Sequence, residues 1–181
     1  SHYAYDFLKK YFKNLKYLSD FQRPIIIKNY KKKNKLKKNI ICYSSKSNDF
    51  FDYLKNNSNF KMIKLAGYNN KQLINIFRKT KIYMDFGYHP GKDRMPREAA
   101  LFGNCIITNQ KGSAKNNVDI PIKSKYKFSE VKTNIPKINK QIEKIFNDYK
   151  KEIKNFKFYQ NIVLKEKFKF ESDLRNIFTK S

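Results

Sequence analysis

Between Asn39 and Thr108, short apolar runs rich in β-branched and aromatic residues alternate with amphipathic stretches, and this alternation narrows the possible folds more than any other feature. The runs Asn39–Tyr43, Phe60–Ala66, Ile82–Phe86 and Cys105–Thr108 read as strands. Between them lie helical patterns over Asn48–Asn56, with Ser47 as N-cap, and over Asn70–Lys79. A third helix carries Pro96 in its first turn, where a missing N–H costs nothing, and ends at Gly103. Strand–helix alternation at this spacing predicts βαβ units, hence an α/β fold with a Rossmann-like, doubly wound parallel sheet. The segment VDIPI (118–122) predicts a short fifth strand. From Pro136 two Lys-rich helices follow, the first with Ile138, Ile142, Ile145 and Phe146 on one stripe. Ahead of the alternation, Tyr5–Phe12 has helical spacing, LKYLSDF reads as an extended piece, and Lys28–Asn39 reads as an exposed basic linker.

The chain has 181 residues, no internal period and 40% hydrophobic residues, enough for one core. No apolar run approaches the ~18 residues of a membrane span, and no signal-peptide core opens the chain, so a soluble cytoplasmic protein is expected. Cys42 and Cys105 sit in separate apolar runs without a CxxC, which argues for buried thiols and against a disulfide or a metal site. The net charge of +26 comes almost entirely from lysine. It is compatible with nucleic acid, an anionic membrane face or a phosphorylated substrate as partner, and equally with a solvated lysine surface.

All five glycines lie between Gly67 and Gly112, and four of them frame DFGYHPGKDRMPREAALFGNCIITNQKGSA, from Asp85 to Ala114. The same window holds His89, one of two histidines, and Arg94 and Arg97. In a doubly wound sheet ligands bind at the carboxyl ends of the strands, and the loop after the third strand lies at such an end. Lys92, Arg94 and Arg97 surround the start of a helix whose free N–H groups favour an anion, the makings of a diphosphate cradle. Glu98, one turn in, is suited to accept ribose hydroxyls or to pair with Arg94. His89 can act as acid, base or phosphate donor, and Asp85 can orient it or Arg94. Lys46, in the SSKS loop after the first strand, is a further candidate for phosphate, and Tyr68 follows the second strand.

From Asn69 to Asp119 the chain resembles the C-terminal, donor-binding half of GT-B fold glycosyltransferases. The resemblance rests on Phe77–Arg78 at the end of a helix, REAALFGNCIIT with its Glu-Ala and following glycine, and GSA at Gly112–Ala114. It implies that Glu98 holds the donor ribose, that Gly112 and Ser113 offer backbone N–H groups to the phosphates, and that Tyr68 lies by the nucleobase. The family's Glu-x7-Glu pair is incomplete, because its first position is Pro90, which leaves His89, Lys92 or Asp93 for that role. The block DFGYHPGKDRMPREAA is similar to bacterial surface-polysaccharide glycosyltransferases, in which a segment like Tyr3–Phe21 ends an N-terminal domain. The resemblance thus implies residues 1–27 as the end of a preceding domain, 28–38 as a basic linker, and 39–181 as a nucleotide-sugar-binding domain. It also implies a nucleotide-sugar donor as substrate with no further cofactor and no metal. The remaining partners would be an acceptor-binding N-terminal domain and the inner face of the plasma membrane. The rival reading is a basic nucleic-acid-binding module using dispersed lysines and stacking aromatics. Convergence of arginines and glycines on one loop speaks for the first.

Overall fold

The structure, a computed structural model, describes residues 1–31, 36–46 and 48–178. In chain order its elements are α1 (His2–Leu8), α2 (Pro24–Tyr30), β1 (Lys38–Ser44), α3 (Asp49–Asn56), β2 (Met62–Leu65), α4 (Asn70–Lys79) and β3 (Thr80–Asp85). After these come α5 (Arg94–Leu101), β4 (Cys105–Asn109), β5 (Lys127–Phe128), α6 (Ile135–Asn147), the single turn α7 (Tyr149–Glu152) and α8 (Lys157–Phe178). The five strands form one parallel sheet in the order β2-β1-β3-β4-β5. The fold is therefore the expected Rossmann-like α/β type.

Ile41, Cys42, Ile82, Tyr83, Met84, Cys105, Ile106 and Ile107 are wholly buried. Their near-continuous apolar runs follow from a parallel sheet covered on both faces. The register shows how the covering is divided. Tyr43 lies beside Met84 and Cys42 beside Tyr83, so the two pairs point to opposite faces. Phe51 of α3 packs on Tyr43 with ring centroids 4.6 Å apart, and Phe77 of α4 packs on Tyr83 at 6.2 Å. The helices α3 and α4 therefore sit on opposite faces, as doubly wound connections require.

Local signals explain the boundaries. Asn48 caps α3 by accepting from the Phe51 amide at 3.0 Å, whereas the expected cap, Ser47, lies outside the described residues. The start of α4 is a capping box, with Asn69 and Gln72 exchanging two bonds of 3.0 Å. Gly103, at φ 76°, follows α5 in the left-handed conformation that terminates helices. The stripe of Ile138, Ile142, Ile145 and Phe146 on α6 is buried.

Three expectations are corrected. Residues 118–122 are not a strand: Asn116 Oδ1 accepts from the amides of Val118 and Asp119, folding a turn, and Pro121 offers no ladder donor. Strand β5 forms instead at Lys127–Phe128. The first helix begins at His2, because Ser1 caps it and buried Asp119 accepts from the His2 and Tyr3 amides at 2.8 Å each. The basic run begins inside α2, which fully buries Ile26, and ends inside β1, just after Lys37, whose ammonium donates to the carbonyls of Phe77 and Thr80 at 2.8 and 2.7 Å. Residues 32–35 of that run lie outside the described residues.

Residues 15–23 pack against α5 and α8: Ser19 donates to Asp173 at 2.7 Å, and Phe21 meets Phe170 at 5.0 Å between ring centroids. Among the described residues no helix is long and apolar enough to cross a membrane.

Candidate functional site

The connection from β1 runs to β2 on one side, whereas β3 continues to β4 on the other, so the sheet reverses its winding between β1 and β3. Above their carboxyl ends three loops enclose a cleft of about 300 Å³. Ser44, Ser45 and Lys46 border it after β1, Gly67 and Tyr68 after β2, and Asp93, Arg94 and Met95 at the opening of α5. Gly87 allows this convergence. A Cβ there would stand 2.6 Å from the Lys46 carbonyl oxygen, so any side chain would drive the loops after β1 and β3 apart.

Of the residues singled out in the sequence, Lys46, Tyr68 and Arg94 meet at this cleft. Lys46 is exposed, and the Tyr68 residue is 43% exposed. The Arg94 side chain is half exposed, and its Nε forms an ion pair with Glu98 Oε1 at 3.0 Å. Glu98 is fully buried beside it. A second guanidinium, that of Arg23, donates to the same oxygen at 2.8 Å. Burial pushes the Glu98 carboxyl above its ordinary range, and the neighbouring Arg23 and Arg94 oppose that rise. Glu98 Oε2 is buried without a hydrogen-bond partner.

The other singled-out residues are committed elsewhere. His89 is 4% exposed. Its Nε2 lies 2.9 Å from Asp85 Oδ1 and its Nδ1 3.0 Å from Asp93 Oδ2. Nε2 is hydrogen-bonded to Asp85, and a positive charge on the ring would pair with both carboxylates. Burial disfavours that charge, but the bonds to Asp85 and the field of Asp85 and Asp93 outweigh it, and the pKa rises. Asp85, His89 and Asp93 are also metal-ligating types lying close together. One donor atom from each lies within 4.8 Å of the others, while the two carboxylates sit at different nitrogens of the imidazole. Asp93 also caps α5 through a long 3.4 Å bond from the Met95 amide. The helix N-terminus thus already carries a carboxylate, and the cations bordering the cleft are Arg94 and Lys46.

Arg97 is 2% exposed; it pairs with Asp20 at 2.7 and 3.0 Å and with Glu166 at 2.9 Å. Lys92 donates to the other oxygen of Glu166 at 2.6 Å. Both cations thus fasten α5 and its loop to α8 and to the segment before α2. Gly112, at φ 53°, approaches His89 so closely that a Cβ would stand 2.3 Å from its carbonyl oxygen. Ser113 donates its amide to that carbonyl at 2.9 Å. These two residues hold the His89 loop rather than line the cleft.

A larger cleft, about 620 Å³, opens at the amino ends of the strands beside Lys37, Lys81 and Tyr149. Its two inner lysines cap helices: Lys37 donates to Phe77 in the last turn of α4, and Lys81 to Phe146 in the last turn of α6 at 2.8 Å. Burial brings the Lys37 pKa down to about 7. With these ammonium groups spent on carbonyls, the chemistry concentrates at the carboxyl ends. Sequence reasoning does not single out Arg23, which stands outside the glycine-framed segment and in no motif. No protein-family model, curated protein or solved structure matches the chain.

Proposed function

We propose that this chain is a nucleotide-sugar-binding domain of a glycosyltransferase of surface-polysaccharide synthesis, taking its donor in the cleft above β1, β2 and β3. The observation carrying this reading is the meeting of Arg94, Lys46 and Tyr68 over a buried carboxylate with one unsatisfied oxygen. Arg94 and Lys46 supply mobile cations for a diphosphate, and a guanidinium matches phosphate oxygens in a forked bond. Tyr68 offers an aromatic face at the end of the cleft away from the His89 loop. During transfer these cations stabilise the negative charge developing on the leaving diphosphate, with no proton needed from His89. The acceptor is held by a separate domain.

Calorimetric titration with UDP, GDP, ADP, CMP and dTDP tests the reading, with Arg94→Ala as control. One nucleotide binds selectively, and the variant weakens it about tenfold to a hundredfold, the worth of a charge-assisted bond. Binding unchanged in the variant, or no binding at all, removes the assignment.

A further inference from the structure

A third cavity, of about 370 Å³, lies between the start of the chain and α8 and shares no lining residue with the cleft above β1, β2 and β3. Its apolar walls are Tyr17, Val118, Ile162 and Phe168. The Tyr17 ring is stacked on His2 with centroids 4.3 Å apart, which makes one wall a flat aromatic surface. Val118 and Phe168 are 57% and 71% exposed, so apolar surface is left open to solvent at the mouth. A cavity of about 150 Å³ admits one benzene ring, so this one has room for two.

Charge around the cavity is one-sided. Three lysines, Lys92, Lys165 and Lys169, line it against one carboxylate, Glu166. Glu166 is buried, and its two oxygens are already taken by Lys92 and Arg97 at 2.6 and 2.9 Å. Lys169 pairs with Asp173, outside the lining, and its ammonium stands 5.8 Å from the centre of the Tyr17 ring. Lys165, one turn earlier on α8, is exposed and has no carboxylate partner among the described residues. The Tyr17 hydroxyl has no hydrogen-bond partner among them either. Burial and the field of Asp119 push its pKa up to about 12, so it stays protonated and able to donate.

The geometry points to this cavity as a binding site for a small aromatic anion, its rings against Tyr17 and Phe168 and its negative group at Lys165. Apolar walls with a few polar groups are the usual build of a small-molecule site, and a lysine beside such walls favours an anion over its neutral analogue. The inference is independent of the nucleotide reading.

The test titrates the whole chain with anilinonaphthalene sulfonate and with phenylnaphthylamine, the same rings without the charge, and follows their fluorescence. A single anionic probe binds per chain, more tightly than the neutral one, and naphthoate displaces it. Lys165→Ala removes that preference by weakening the anion about fivefold to tenfold, the worth of one hydrogen bond to a charged group at a part-open mouth. Phe168→Ala weakens both probes. Lys154→Ala and Phe158→Ala, at exposed positions outside the cavity, change neither. All four sites are exposed, so the fold survives the changes. Several probes per chain, or equal weakening by Lys154→Ala, would mean a diffuse lysine surface and overturn the inference. So would equal affinity for the charged and neutral probes. Displacement by UDP, GDP, ADP, CMP or dTDP would place the probe in the nucleotide cleft, overturning this site and leaving the nucleotide reading standing. Displacement by phosphatidylglycerol vesicles but not by naphthoate would give the cavity to a lipid surface and likewise overturn it.

Discussion

His89 shows how little a residue's type determines its use. The ring is held between two carboxylates, and its pKa is raised above the ordinary 6.5. The folded state therefore grips the proton more tightly than the unfolded chain does. The resulting stabilisation is complete below 6.5 and is lost as pH climbs through the folded value. Melting curves of wild type and His89→Asn across pH 5.5 to 9 will show the wild-type advantage shrinking as pH rises; a constant gap would mean a neutral ring. In the sequence, the segment that approaches the cleft was legible from its glycines, and Arg94 and Lys46 from their places after strands. The commitment of Arg97 and Lys92 was not. It depends on Asp20 and Glu166, which lie 77 and 69 positions from Arg97, and no local pattern announces such partners. The partners of His89 are local, with Asp85 and Asp93 four residues to either side.

At the level of elements, the parts written in local chemistry are the parts the sequence revealed. Helix α4 has the expected limits because both halves of its capping box sit in the sequence at the required spacing. Strands β1, β3 and β4 are unmistakable because burial on both faces demands unbroken apolar runs. Strand β5, two residues long, carries no periodicity to detect, and 118–122 looks like a strand until Asn116 and Asp119 find their amides. The glycines divide in the same way. Gly112→Ala meets both a positive φ and a backbone oxygen, and will lower stability by more than about 1 kcal/mol. Gly91→Ala, with nothing within 4 Å of its Cβ, will stay within about 0.5 kcal/mol. Urea unfolding of the two variants makes the comparison.

For the molecule as a whole, a charge of +26 acts at longer range than any single contact. Screening shortens that range to about 10 Å at 0.1 M salt, so the field should govern encounter more than residence. Stopped-flow binding of the preferred nucleotide will show the association rate falling severalfold between 50 and 500 mM NaCl while dissociation changes little. A dissociation rate that climbs as steeply as association falls would instead mean that dispersed lysines, not the cleft, hold the ligand. The segment before α2 has a further, mechanical consequence. Asp20 grips Arg97 and Arg23 grips Glu98, two neighbouring residues of α5, while Ser19 holds α8. Tension applied to the chain ahead of this segment is transmitted through those side chains to the helix that carries Arg94, so a tug on the N-terminal side strains the cleft before it unravels the sheet.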